Sequence, residues 1–284
     1  MHVNIGINHM NTYWHQPEID PVLLHIWGPL QIRWYSLLYV GGFVVGRYLL
    51  RRLAREDRFL FTEEDVEQLI LWLLIGVVIG ARVVYCFVYD PRALIADPLF
   101  LFKVYEGGLS FHGGMLGAMA AAWLYTRKIK IPFWNLGDAL ALATPPGLAM
   151  GRLGNFLNGE LWGRVSYVPW AVVFKHGGPN PRHPSQLYEL LLEGIILFSA
   201  LWLLKSRLKR NGEISLAFIM GYSLCRFTAE FFREPDVQVG YLFLGLSMGQ
   251  ILSLLMFLGG GVLALYLWKK GTPAPAKSKT RPRK

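Results

Sequence analysis

The sequence predicts an all-α, polytopic membrane protein with seven transmembrane helices, an external N-terminus, a cytoplasmic C-terminus and a small external head. Three observations predict this class. The chain of 284 residues is 53% hydrophobic and 17% charged, a balance that fits neither a disordered segment nor an ordinary soluble domain. Apolar runs close to the ~20 residues needed to cross a bilayer core recur from end to end. The basic residues, which give a formal charge of +10, gather in a few short blocks between those runs.

Taken in order, the apolar segments are Tyr35 to Leu50, Val66 to Val88, Phe111 to Tyr125, Leu136 to Leu157, Gln186 to Leu204, Ile214 to Phe232 and Leu246 to Trp268. A further apolar piece, Leu94 to Phe102, is too short to cross and reads as re-entrant or interfacial. Five Lys or Arg lie between Arg47 and Arg58, three between Arg127 and Lys130, four between Lys205 and Arg210, and seven between Lys269 and Lys284, together 19 of the 29 in the chain. The preference of basic loops for the cytoplasm puts all four blocks on that side. An odd number of crossings then leaves the N-terminus outside.

The first 20 or so residues lack a basic stretch followed by an apolar one, so they are expected to form an external arm rather than a cleaved signal. Cys86 and Cys225 both fall in predicted helices, which argues against a structural disulfide. The longest hydrophilic interruption, Asn158 to Pro184, is the predicted head, with its VPWAVVF run as a short strand pair or an interfacial cap. There is no internal repeat or second soluble domain. Residues 1–268 read as one transmembrane domain and 269–284 as a basic tail. That tail follows a crossing directly and lacks interleaved aromatics, so attraction to anionic headgroups accounts for it and no nucleic-acid partner is expected.

Charges inside a crossing cost several kcal/mol unless they face protein or water, so their positions point to function. Here they cluster. Arg152, Asn155, Glu160, Arg226, Glu230 and Arg233 all lie toward the external ends of the fourth and sixth segments, and His112 begins the third at the same level. Tyr222, Arg226, Glu230 and Arg233 share one helical stripe, while Arg152 and Asn155 are three apart on another helix. A plain structural account makes these buried ion pairs, Arg226 with Glu230 and Arg233 with Glu230. Against it, arginine outnumbers the acids in these regions, and a surplus of buried arginine calls for an anion from elsewhere. Arginine's planar fork suits phosphate.

The stretch GRLGNFLNGELWGR, Gly151 to Arg164, adds glycines to this setting. Gly154, Gly159 and Gly163 would let backbone amides approach a headgroup and let the helix end where it lines a cavity. A second block, EGGLSFHGGMLG from Glu106 to Gly117, sets His112 on a glycine-rich turn entering a helix, as a base or a phosphate donor. A third, HPSQLYE from His183 to Glu189, has an ordinary reading as a helix start, with His183 tying down the head. Arg82 and Asp138 are expected to pair with each other or to line the cavity. The sequence has no HExxH, cysteine cluster, P-loop or dinucleotide fingerprint, so no metal and no cofactor is expected.

Together with RFTAEFFREPD, Arg226 to Asp236, these blocks resemble the bacterial prolipoprotein diacylglyceryl transferases, in that family's order. WGPLQIRWYSLLYVGG, Trp27 to Gly42, resembles the family's first-crossing region, so the likeness covers most of the chain. It implies a seven-crossing enzyme of the bacterial cytoplasmic (inner) membrane. Such an enzyme transfers diacylglycerol from phosphatidylglycerol to the lipobox cysteine of a prolipoprotein signal peptide and releases glycerol phosphate. The resemblance makes Arg152 and Arg226 the essential cations, surrounded by His112, Tyr35, Asn155, Glu160, Tyr222, Glu230 and Arg233; Gly154 and Gly163 are expected at the substrate from the glycine reading above.

The chemistry fits that assignment. Charge develops on phosphate oxygens as the ester leaves, where two arginines stabilise it. Thiol activation is the harder requirement, because a free cysteine has a pKa of about 8.5. The cationic pocket and His112 as base are expected to meet it, with Glu230 orienting Arg226. Two other classes share the general features. A lipid transporter is disfavoured by the site's position near one face and the lack of repeat symmetry, and another phospholipid or polyprenyl-phosphate transferase is disfavoured by the four-block match.

Overall fold

In the computed structural model the described residues are 13–27, 30–235 and 240–270. The start of the N-terminal arm, Asp236 and the basic tail beyond Lys270 lie outside them. The chain is mostly helical. In order come β1 (Trp14–His15), β2 (Val22–Trp27), β3 (Leu30–Arg33), α1 (Trp34–Ala54), α2 (Glu63–Val84), α3 (Pro91–Ala96), α4 (Phe111–Ile129) and α5 (Phe133–Asn158). Then follow β4 (Val172–Val173), α6 (Ser185–Glu189), α7 (Leu197–Leu204), α8 (Glu213–Ala229) and α9 (Met248–Lys270). A π-helical turn, Tyr85–Tyr89, extends α2, and a second, Leu190–Ile196, joins α6 to α7.

Each predicted apolar segment is helical over most of its length. The stretches Glu63–Tyr89, Ser185–Leu204 and Met248–Lys269 are long and apolar enough to cross a membrane. Their surfaces fit that solvent. On α9 the exposed side chains include Leu252, Leu255, Leu258, Val262 and Leu265, whereas the buried ones include Gln250 and Ser253. A helix that turns apolar groups outward and polar groups inward is adapted to lipid, where unpaired polar groups are costly.

The chain packs as two compact units. One comprises 47–141 with 209–215. Within it α2 starts at a capping box, the Thr62 side chain accepting from the Asp65 amide and the Asp65 carboxylate accepting from the Thr62 amide. α2 and α4 then meet along Gly76, Gly80, Gly113 and Gly117, where backbones lie so close that a Cβ on Gly80 would sit 2.7 Å from the Gly117 Cα. Close approach through small residues is the main route to helix association where no hydrophobic force operates between helices.

In the same unit Arg82 and Asp138 do not pair with each other. Arg82 donates to the Leu101 and Gly108 carbonyls at 3.2 and 3.1 Å, and also to those of Phe100 and Gly107. It thereby holds the 98–108 segment against α2. Asp138, fully buried, pairs with Arg58 at 3.0 Å and accepts from the Gly212 and Ser215 amides at 2.9 and 2.8 Å. With the Ser215 hydroxyl at 2.8 Å, four donors satisfy a carboxylate that would otherwise be untenable in a buried position. The predicted apolar piece is α3 followed by a 3₁₀ turn, Pro98–Phe102, and it leaves Ile95, Leu99 and Phe102 exposed.

The other unit comprises the described parts of 1–46, 142–208 and 216–271. Its VPWAVVF run supplies one strand rather than a strand pair of its own. β4 lies parallel to β1 of the N-terminal arm, with Trp14 opposite Val172 and His15 opposite Val173, and Val172 also bridges Arg182. β2 and β3 form an antiparallel hairpin leading into α1. Gly194 packs on Ala149, where a Cβ would come within 2.5 Å of the alanine Cβ. That contact, one helical turn before Arg152 and one residue after Glu193, brings the two side chains together.

Candidate active site

The second unit holds a buried ionic cluster. Arg152 leaves the last turns of α5, Glu189 ends α6, Glu193 sits in the π-helical turn after it, and Arg226 lies in the last turn of α8. Glu189 bridges three arginines. Its Oε2 is 2.7 Å from Arg152 Nε, and its Oε1 is 2.8 Å from Arg226 Nη1 and 3.2 Å from Arg233 Nη1. Glu193 lies 3.3 Å from Arg152 Nη2 and 3.8 Å from Arg226 Nη1. Glu230 accepts from Arg226 Nη2 at 2.6 Å. The Glu189 and Glu193 side chains are 1% and 0% exposed, while those of Arg152 and Arg226 retain 19% and 15%.

Two sequence expectations change here. The arginine surplus does not hold within this cluster, because Glu189 and Glu193 balance Arg152 and Arg233 as Glu230 balances Arg226. The expected pairing of Arg233 with Glu230 is replaced by Arg233 with Glu189, because α8 ends at Ala229 and the chain turns before Arg233. Arg226 with Glu230 is found, at the expected one-turn spacing. The missed carboxylates carried a readable signal. Two Glu four residues apart inside QLYELLLEGIILF are as costly in lipid as the arginines that drew attention.

A second group of predicted residues gathers beside the end of α5. Tyr35 fills the space over Gly154, whose Cβ would lie 2.7 Å from the ring, and its hydroxyl is 3.2 Å from that of Tyr39. Asn155 donates to Glu160 at 2.8 Å and Asn158 donates to the same oxygen at 3.3 Å. Tyr222 lies one turn before Arg226 on α8, stacked on Phe218. Gly163 serves a backbone crossing. Its amide donates to the His183 carbonyl at 2.9 Å, it bridges Arg233, and any side chain there would strike the Phe232 and His183 carbonyls. Arg164, which sequence reasoning did not single out, donates to the carbonyls of Arg233 and Glu230 at 2.9 and 3.2 Å and so closes the end of α8. His112 belongs to the other unit, exposed in the first turn of α4, where the Ser110 side chain accepts from the Gly113 amide.

His183 stands just outside the α6 start, edge-on to Phe232 and 3.0 Å from the Tyr188 hydroxyl. That hydroxyl accepts from the Trp170 indole at 2.7 Å, which leaves its own proton available to a neutral His183 whose Nδ1 is unprotonated. Burial pushes the imidazole below its ordinary value, and the charge of Arg164 adds to this. The unfolded chain therefore binds the proton more readily. The stability this contributes is complete above the ordinary histidine range, about 6.5, and is lost as pH falls below it. Corrected for the intrinsic exchange rate, protection of the amides of 183 and 185–188 is expected to fall between about pH 6.5 and 5, a loss that should vanish in His183→Asn.

The fold and the cluster together define the class: a helical membrane protein whose half-buried arginines are held in place by buried carboxylates near helix ends. The family profile described as prolipoprotein diacylglyceryl transferase matches residues 21–266. Among curated relatives, the phosphatidylglycerol–prolipoprotein diacylglyceryl transferase of Idiomarina loihiensis is 49% identical over 253 residues, 89% of this chain and 95% of its own. Those of Nitratidesulfovibrio vulgaris (strain DP4) and Vibrio cholerae (strain M66-2) are each 48% identical, covering 91% and 90% of this chain and 98% and 94% of their own. The chain belongs to the prolipoprotein diacylglyceryl transferase family and is a transferase.

Proposed function

We infer that the Arg152–Arg226 cluster is where this chain transfers the diacylglyceryl group of phosphatidylglycerol to the lipobox cysteine thiol of a prolipoprotein, the first step of lipoprotein maturation. The sulfur attacks the glycerol carbon that bears the phosphate and a C–S bond forms. The C–O bond to phosphate breaks, its electron pair stays on the phosphate oxygen, the thiol proton goes to a base, and glycerol phosphate leaves. Two arginine forks near the end of a crossing supply what that leaving group needs, charge stabilisation in a site of low dielectric. This shared hold of Arg152 and Arg226, through one buried glutamate, is the observation that carries the assignment.

Tyr35, Asn155, Glu160, Tyr222, Glu230 and Arg233 line the substrate site in this reading, Gly154 and Gly163 keep its backbone close, and His112 accepts the thiol proton. The helices cross the bacterial inner membrane seven times with the N-terminus outside, residues 1–268 forming the functional domain and 269–284 a cytoplasmic tail.

The test is reconstitution of the purified chain with phosphatidylglycerol and a lipobox peptide, reading the cysteine by mass spectrometry together with released glycerol phosphate. Diacylglyceryl addition at the thiol, lost in Arg152→Ala, is the expected result. Unmodified peptide and intact lipid would overturn the reading. His112→Gln is expected to lower turnover by about 10²–10⁴-fold at neutral pH, the usual contribution of a positioned base; turnover near that of the unaltered chain would remove His112 from that role.

A further inference from the structure

We propose that Glu189 and Glu193 act as resident anions that hold the arginine forks between turnovers and, by retaking them, expel the phosphate-bearing product. The proposal rests on the function inferred above and assigns to it two residues and a step.

The reason lies in how charge changes during the reaction. The substrate headgroup is a phosphodiester with a single negative charge. The product is a phosphomonoester, whose second pKa near 6 leaves it with a charge of about −1.5 to −2 at pH 7. Arginines facing only the ligand would therefore bind product more tightly than substrate, and turnover would stall on release. A fixed negative charge behind the forks corrects this, because it disfavours the more highly charged ligand more strongly.

Geometry puts such charge in place twice. Glu189 reaches Arg152, Arg226 and Arg233 with one carboxylate, and Glu193 reaches Arg152 and Arg226 from the next turn. Glu189 and Glu193 each accept one aligned hydrogen bond, from Arg233 Nη1 at 3.2 Å and Arg152 Nη2 at 3.3 Å, but each also has a second oxygen whose contacts differ from those of Glu230. Glu230 makes an aligned hydrogen bond to Arg226 Nη2, as suits a group that holds the side chain in position. By contrast Glu189 Oε2, Glu193 Oε1 and Arg226 Nη1 are buried and, among the described residues, have no aligned hydrogen-bond partner although opposite charges lie 2.7 to 3.8 Å away. These are chiefly contacts of charge. A phosphate that offers better-aligned acceptors can replace them, and they can be remade when it leaves. The π-helical turn that carries Glu193 is a feature often found where a helix serves a site rather than only a fold.

Glu193→Gln keeps shape and removes the charge. Added glycerol phosphate should then inhibit transfer about tenfold more strongly, kcat should fall, and KM for phosphatidylglycerol should not rise. A residue that only braced the arginines would weaken both ligands together. Tighter product inhibition in at least one of Glu193→Gln and Glu189→Gln supports the proposal; unchanged or weaker inhibition in every variant that folds overturns it. A measurement on the unaltered chain covers the case in which neither variant folds. Glycerol phosphate and the corresponding diester, glycerophosphoglycerol, should inhibit within about threefold of each other, and a monoester preferred by more than about tenfold would overturn the proposal. Failure of transfer together with absence of any inhibition by glycerol phosphate would instead sink the functional reading itself.

Discussion

Arg226→Ala is expected to lower transfer by about 10²–10³-fold per folded molecule, the loss typical of removing one donor that stabilises charge developing in a transition state. The side chain is held by Glu189 through Nη1 and by Glu230 through Nη2, so both arms of its fork are oriented before any ligand arrives. Arg226→Lys is expected to recover little, because a single ammonium cannot meet two carboxylates and a phosphate in the same plane. Alanine also leaves Glu189 and Glu230 buried with less counter-charge, at a cost of about 3–5 kcal/mol in the worst case. Activity therefore has to be normalised to folded protein, for instance by size exclusion in detergent. A lysine variant with more than about a third of normal turnover would remove the bidentate argument.

The largest effect on stability is expected at Gly117. A valine there would drive its Cβ into the Gly76 carbonyl, with the carbonyl carbon at 2.9 Å and the Gly80 Cα at 3.0 Å. Backbone cannot rotate out of the way as a side chain can, so α2 and α4 must separate and give up packing along their whole seam. Overpacking of a tight site costs 1–3 kcal/mol, and this site lies at or beyond the upper end, about 3 kcal/mol or more. Thermal unfolding in detergent would check it against Gly259→Val, where an added Cβ meets nothing within 4 Å. Equal midpoints for the two variants would mean that the seam contributes little.

Much of this was legible in the sequence because lipid imposes simple demands. Long apolar runs had to be helices, and each predicted segment is one. Arg152 and Arg226 stood out because arginine in such runs is costly unless it meets protein, water or a ligand. What stayed hidden was partnership. Arg82 and Asp138 looked like a pair by sign, yet Arg82 is taken up by four carbonyls and Asp138 by Arg58 and two amides. Glu189 escaped notice because HPSQLYE reads so readily as a helix start, and nothing in a single sequence says which face α6 turns toward α5. The pairing of β4 with the N-terminal arm was equally invisible, since two-residue strands some 160 positions apart leave no periodicity to detect.

The backbone crossing at Gly163 has a bearing on how the protein is made. Residues 163 and 164 are hydrogen-bonded to His183 and to Phe232, so the knot ties a stretch from mid-chain to one that leaves the ribosome almost 70 residues later. Loop closure over that span costs only modestly more than over a short one, so timing rather than entropy is the constraint. Until the end of α8 has been synthesised, Arg226 is absent and Arg152 has only part of its setting. A nascent chain thus lacks a complete centre until α8 and the turn that follows it have been made.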